Sequence, residues 1–296
     1  MSGAVLQCLP EAAGDAARLA DRLGVPCHVI DVHRFPDGEL RVTVGPAAPV
    51  TILYAPLDHP NDKLIMLLFA AEALRRGGAK RLVLVAPYLC YMRQDKAFHD
   101  GEAISQRAIG KLIAATVDRV VTADAHLHRT HDIRAVFPGI EAEDLPTTPA
   151  IAAALQGIDP RTVVVGPDEE SAPWVGALAD TLGLAFAVAR KTRAGDRSVE
   201  IAFADPSLFK GRPALLVDDI VSSGGTLTVA AKALRAAHAA TIDAVIVHAL
   251  FPPEMIEDFH QAGIRSVRST SSVPHPSNAI PLDDVLAAAL TKEVSL

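Results

Sequence analysis

The chain has 296 residues, half of them hydrophobic and only 4% aromatic, with 35 acidic against 28 basic side chains and a formal net charge of −7. That length suits about two α/β domains, the apolar content argues against disorder, and the charge has the wrong sign for a general binder of nucleic acid or anionic membrane. Any anionic ligand must be gripped locally.

In chain order, short β-branched or Leu-rich runs predict strands near Val50–Ala55, Arg81–Ala86, Arg119–Ala123, Thr162–Gly166, Ala185–Arg190, Ala214–Val217 and Ile242–Ala249. Between them, helical periods are read at Lys63–Arg76, Ser105–Ala115, Pro149–Leu155, Ala172–Leu182 and Gly225–Ala237. In the last, Leu227, Ala230, Ala231 and Leu234 make one apolar stripe to set against a sheet. This alternation is that of βαβ units with mostly parallel sheets. The stretch Phe137–Pro149, with three prolines, is the best boundary and divides the chain into two domains of similar rhythm, 1–144 and 145–296. A closing surface helix at 282–290 suits either half.

Cys8, Cys27 and Cys90 lack CxxC spacing, which disfavours a disulfide framework or structural zinc and points to reduced cytoplasm. The start of the chain lacks the basic and apolar regions of a signal peptide, and the apolar stretches near residues 64–71 and 82–92 are too short to span a bilayer. A soluble cytoplasmic protein is expected, with neither nucleic acid nor membrane as partner.

The most informative stretch is Leu215–Thr228, LLVDDIVSSGGTLT. An apolar strand ends in Asp218 and Asp219, a loop of small residues follows, and a helix begins at Gly225 or Thr226. Ligands of open parallel sheets bind beyond the carboxyl ends of strands, and N–H groups at the following helix start suit a phosphate. Ser222, Ser223, Gly224, Gly225 and Thr226 supply hydroxyls and let the backbone approach closely. The two carboxylates cannot face a phosphate, so they must bind hydroxyls or a metal beside it. A sugar phosphate meets both demands.

Four further segments bear on the chemistry. Phe35–Glu39, FPDGE, reads physically as a hairpin turn. Pro87–Lys96 follows a strand; in it Arg93 and Lys96 are phosphate donors and Gln94 can read a base edge. Thr122–His126 places Asp124 and His126 on the same side of an extended segment, with His128 and His131 close in sequence at spacings that fit no standard zinc pattern. Finally, Lys191 and Arg193 alternate in a basic loop, where two cations on one side could stabilise charge on a pyrophosphoryl group in flight.

The turn at Asp218–Thr226 resembles the ribose-phosphate signature of type I phosphoribosyltransferases and of ribose-phosphate pyrophosphokinases. FPDGE, PYLCYMRQDK, the D-x-H string and the K-x-R pair together resemble the pyrophosphokinases, in their archaeal-type branch. The resemblance runs from Arg34 to about Thr228 and implies two similar α/β domains of type I phosphoribosyltransferase fold, each a mostly parallel sheet flanked by helices. It implies transfer of the pyrophosphoryl group of ATP to ribose 5-phosphate, with Mg2+. Phe35, Asp37 and Glu39 would contact the adenine of ATP on a neighbouring subunit of a homo-oligomer, and Arg93 and Gln94 would hold ATP. Gly101–Ser105 resembles a segment that closes over the nucleotide. His126 and Asp168 would hold the metal, with Asp124 supporting His126; Lys191 and Arg193 would be catalytic, and Asp218, Asp219 and Ser222–Thr226 would bind ribose 5-phosphate.

One departure stands out. Glu169, Glu170 and Ser171 follow Asp168 where the family usually has small residues, so these acids either bind a further divalent ion or point away. Two other readings follow: a non-catalytic regulatory paralogue, and a phosphoribosyltransferase that consumes phosphoribosyl pyrophosphate.

Overall fold

The structure is a computed structural model that describes residues 3–127, 129–130, 132–193 and 199–295. Its first part runs β1 (Ala4–Cys8), α1 (Ala13–Leu23), β2 (Cys27–Val29), a hairpin of β3 (Asp31–Arg34) and β4 (Leu40–Thr43), then β5 (Val50–Tyr54), α2 (Pro60–Arg76), β6 (Arg81–Ala86), α3 (Ser105–Ala114), β7 (Arg119–Ala123) and β8 (Glu141–Leu145). Six of these strands form a parallel sheet in the order β2-β1-β5-β6-β7-β8. Every residue of β1, β5 and β7 is buried, the mark of a parallel sheet covered on both faces.

β1 and β8 have no clear signature in sequence, for different reasons. In β1 the run is interrupted by Gln7, which is buried yet satisfied, donating to the Pro46 carbonyl (3.1 Å) and accepting from the Gly45 N–H (3.0 Å). In β8 the sequence EAEDL reads as surface, but Glu141 pairs with Arg81 of β6 and Glu143 with Arg119 of the adjacent β7.

The chain continues through α4 (Thr148–Ala154), β9 (Val163–Gly166), α5 (Ala172–Leu182), β10 (Ala185–Arg193), β11 (Val199–Phe203), β12 (Pro213–Val221), α6 (Gly225–Ala236), β13 (Thr241–Ala249), α7 (Met255–Ala262), β14 (Ser266–Thr270), β15 (Asn278–Ile280) and α8 (Asp283–Val294). A seven-stranded sheet is ordered β11-β10-β9-β12-β13-β14-β15, parallel except for the β10–β11 pair. Its two faces alternate along each strand: Val163, Val165 and Leu216 lie in one core, Val164, Leu215 and Val217 in the other. The α6 stripe of Leu227, Ala230, Ala231 and Leu234 is buried in the first of these, as its period predicts. The fold is α/β with parallel, helix-flanked sheets, as expected.

Two compact units result, residues 1–147 with 271–274 and 281–296, and residues 148–270 with 275–280. The closing helix, which suited either half on sequence grounds, therefore packs in the first unit. Glu293 of α8 is buried and accepts from Arg81 (2.6 and 2.8 Å) and Arg119 (2.8 Å). Burial pushes its carboxyl up, but the two guanidiniums outweigh that and hold it below the usual carboxylate range. Among the described residues no helix is long and apolar enough to cross a membrane.

Candidate active site

In the second unit β12 runs past both aspartates to Val221, because Ile220 and Val221 still pair with His248 and Ala249 of β13. Asp218 and Asp219 are half-buried within the strand, short of its end, so the strand does not end at them as the sequence suggested. The loop is correspondingly short. Gly224 adopts a left-handed φ of 65° and α6 begins at the next residue without a side-chain cap, leaving the N–H groups of the first helical turn without intrahelical partners. Only glycine fits: a Cβ here would lie 2.5 Å from the Met255 methyl and 2.7 Å from the Phe259 ring.

Residues 220–227 with Asp218 line a cavity of about 80 Å³, well below the ~300 Å³ or more of a site for a drug-sized ligand. That scale suits one phosphate group; Asp218 reaches the cavity wall, whereas the Asp219 carboxylate, one residue on along the strand, accepts from the Ile220 N–H (2.8 Å). A larger cavity of about 560 Å³ lies at the amino ends of β9, β12 and β13. It is the poorer candidate, since Arg161 and Arg265 in its wall are already paired with Asp159 (2.7 Å) and Asp243 (2.6 Å), and ligands of open parallel sheets bind at the carboxyl edge.

The neighbouring strands deliver further groups to that edge. Asp168 follows β9 and accepts from the Ser171 N–H (3.2 Å), while the Ser171 hydroxyl turns back to the Asp168 carbonyl (2.6 Å). Glu169 pairs with Arg190 at 3.1 Å. Thus two of the three residues that replace the family's small loop are engaged with the protein itself. β10 pairs with β9 as far as Val188 and then continues, paired only with β11. Its last five residues extend roughly 16 Å past that point at about 3.3 Å per residue, and they include Lys191 and Arg193. The side chains of those two residues and of Glu170 lie outside the described part of the structure.

The first unit is built differently. Phe35–Glu39 forms the β3–β4 hairpin tip, closed by the Phe35 N–H on the Glu39 carbonyl (2.9 Å) and by the Asp37 carboxylate on the Glu39 N–H (3.1 Å). Phe35, Asp37 and Glu39 are all exposed there, and the Phe35 ring meets His33 edge-on at 4.7 Å.

The segment after β6 carries exposed Arg93 and half-buried Gln94, whose side-chain oxygen accepts from Ser105 (2.8 Å) and whose carbonyl accepts from the Gln106 N–H (3.2 Å). Burial pushes the Asp95 carboxyl up, but hydrogen bonds from Arg129 (2.8 Å from its guanidinium) outweigh that and hold it low. The Lys96 ammonium lies 5.0 Å from the Phe98 ring centre.

The expected alternation of Asp124 and His126 does not occur. β7 stops at Ala123, and Asp124 takes a φ of 41° because its carboxylate holds the N–H (3.0 Å) and hydroxyl of Thr147. His126 is half-buried beyond it. Asp144 accepts from the Ala125 N–H (2.9 Å); burial pushes its carboxyl up to about 7, with the Asp124 charge adding and the Ala125 hydrogen bond opposing. His128 and His131 lie outside the described residues.

No group of three or more His, Cys, Asp and Glu that could hold a metal is gathered among the described residues. Asp168, beyond the end of β9, offers carboxylate oxygen, the donor that suits a hard divalent ion whose shell is completed by phosphate and water.

Residues 10–116 match the family described as the N-terminal domain of ribose phosphate pyrophosphokinase, and residues 149–272 match the phosphoribosyl transferase domain. The chain is 30% identical over 279 residues to the ribose-phosphate pyrophosphokinase of Methanopyrus kandleri, spanning 92% of this chain and 94% of that one. It is 32% identical over 265 residues to that of Pyrococcus abyssi, spanning 89% and 91%. Its fold resembles the phosphoribosylpyrophosphate synthetase from Mycobacterium smegmatis, with a TM-score of 0.84 at 24% identity and 97% of each chain covered.

Proposed function

The chain belongs to the ribose-phosphate pyrophosphokinase family, and on that premise we propose how its residues carry out the reaction. The anomeric hydroxyl of ribose 5-phosphate attacks the β-phosphorus of ATP. The bond from that phosphorus to the α,β-bridging oxygen breaks, AMP leaves as phosphoribosyl pyrophosphate forms, and the hydroxyl's proton is released to solvent. The turn from Asp218 to Thr226 holds ribose 5-phosphate: N–H groups and hydroxyls of Ser222–Thr226 take the phosphate, and Asp218 and Asp219 take sugar hydroxyls. The observation that carries this assignment is Gly224, left-handed and too tightly packed for any side chain, at the start of α6.

Arg93 and Gln94 hold ATP. Phe35, Asp37 and Glu39, exposed at a hairpin tip, contact the adenine of ATP on a neighbouring subunit, so the working protein is a homo-oligomer. Lys191 and Arg193, at the end of an arm of β10, stabilise the charge of the transferring group; no general base is assigned, because positioning and electrostatics dominate such transfers. His126 and Asp168 would be the protein donors to a magnesium ion, which would supply neutralisation of phosphate charge. The Glu169–Arg190 pair and the inward hydroxyl of Ser171 favour loop residues that point away from the polyphosphate over a further metal site. Free cysteines, two of them buried, suit the cytoplasm.

Incubation with ATP, Mg2+ and ribose 5-phosphate is expected to give AMP and phosphoribosyl pyrophosphate in equal amounts. Release of pyrophosphate on adding a nucleobase to phosphoribosyl pyrophosphate would instead identify a phosphoribosyltransferase, and silence of the isolated protein a regulatory paralogue. Lys191→Ala should lower turnover by on the order of a hundredfold or more while leaving ribose 5-phosphate binding intact; near-normal turnover would remove that role.

A further inference from the structure

Four non-glycine residues among those described have a positive φ, and three of them, His59 (46°), Tyr91 (62°) and Asp124 (41°), lie in successive loops after β5, β6 and β7. Parallel strands place those loops on one edge of the first sheet. A bulky side chain in the left-handed region is an outlier that persists only where its surroundings over-determine it, and such outliers gather at functional sites. Tyr91 is the bulkiest of the three and the nearest in sequence to an assigned ligand-binding pair, Arg93 and Gln94.

What holds Tyr91 is visible on both sides. Leu89, Cys90 and Met92 are buried around it, and its hydroxyl donates to the Asn61 side-chain oxygen at 2.5 Å. Asn61 sits in the first turn of α2, a turn that is itself anchored: the Lys63 ammonium, nearly buried, donates to the Pro56 carbonyl (3.0 Å) and the Asp58 carboxylate (2.7 Å) and lies 3.0 Å from Glu11. On the far side of the pair, Gln94 is held by Ser105 and Gln106 of α3. The short stretch bearing Arg93 is thus pinned at both ends, to α2 through Tyr91 and to α3 through Gln94.

We propose that Asn61, acting through the Tyr91 hydroxyl, is a positioning residue for the nucleotide: it fixes the direction in which the chain leaves the left-handed residue, and so where Arg93 and Gln94 stand. This rests on the reading of Arg93 and Gln94 as the ATP-holding pair. It assigns no chemistry to Asn61 or Tyr91 themselves.

The test is steady-state kinetics of Tyr91→Phe, Asn61→Ala and the double variant, with Arg93→Ala alongside. Losing one hydrogen bond should raise the KM for ATP roughly five- to tenfold in each single variant. The double variant should be no worse than either single one, since both remove the same interaction. The KM for ribose 5-phosphate and the unfolding temperature should stay near those of the parent. An unchanged KM for ATP in both single variants, with Arg93→Ala impaired, would overturn the proposal and leave the ATP assignment standing. Parallel rises in both KM values with a lowered unfolding temperature would reduce the pair to a structural contact and overturn it equally. A normal KM for ATP in Arg93→Ala would remove the ATP assignment, and the proposal with it.

Discussion

The two units present their candidate ligand edges by opposite means. In the second, one contiguous stretch makes the site from backbone: a strand, a left-handed glycine and a helix start, with Met255 and Phe259 closing the space a side chain would need. In the first, three loops far apart in sequence are stitched by side chains, Tyr91 to Asn61, Gln94 to Ser105, Asp124 to Thr147, and Asp95 to Arg129. A backbone site is encoded locally and tolerates no substitution at its pivot. A stitched site spreads the same task over many pairs, each worth about 1 kcal/mol, so single losses there should be graded rather than absolute.

The largest expected effect breaks the first unit's most buried linkage. Glu293→Ala leaves Arg81 and Arg119 facing each other without their shared carboxylate, and should cost about 3–5 kcal/mol of unfolding free energy in urea. Because the native pairing holds that carboxyl low, the parent's advantage is present above the ordinary carboxylate range and fades as pH falls through the folded value. Equal stability at neutral pH would mean that α8 is not secured by charge.

Next, Gly224→Ala should raise the KM for ribose 5-phosphate on the order of a hundredfold, the product of backbone strain and steric displacement. The KM for ATP should stay within about twofold, a loss below 0.5 kcal/mol; joint loss of both would undo the separation of the two sites.

Asp144→Asn comes third. Burial raises the native carboxyl from 3.8 to about 7, so the parent loses stability as pH rises across that interval, where the unfolded chain is ionised and the folded one resists it. The amide has no such penalty and can still accept from the Ala125 N–H. The variant should therefore be more stable than the parent by a few kcal/mol at most above pH 7 and converge with it near pH 4. A pH-independent difference in unfolding temperature would contradict this.

The smallest effect belongs to Glu169→Gly. Its ion pair with Arg190 is exposed on both sides and so is worth at most about 1 kcal/mol. Turnover should change by less than about threefold. A tenfold change would bring Glu169 to the polyphosphate.

The same contrast explains what could be read from residues alone. The α6 stripe and the small-residue turn are local patterns, and both lie where their spacing puts them. The bend at Asp124 was invisible because it depends on Thr147, 23 residues away. Asn61 likewise carries no mark, since its partner is 30 residues on. β8 hid behind its glutamates, whose arginine partners sit on other strands, and β1 behind a glutamine satisfied by the chain near Gly45 and Pro46. Charged or polar positions read as surface until their partners are known.

Isotopic tracing separates attack of the sugar's anomeric oxygen on the middle phosphorus of ATP from attack on the outer one. With ATP labelled at the β-phosphorus, all the label should enter the phosphoribosyl product, and with ATP labelled at the α-phosphorus all of it should stay in AMP. Formation of ADP that retains the β label, with only the γ-phosphoryl group reaching the sugar, would contradict attack on the middle phosphorus.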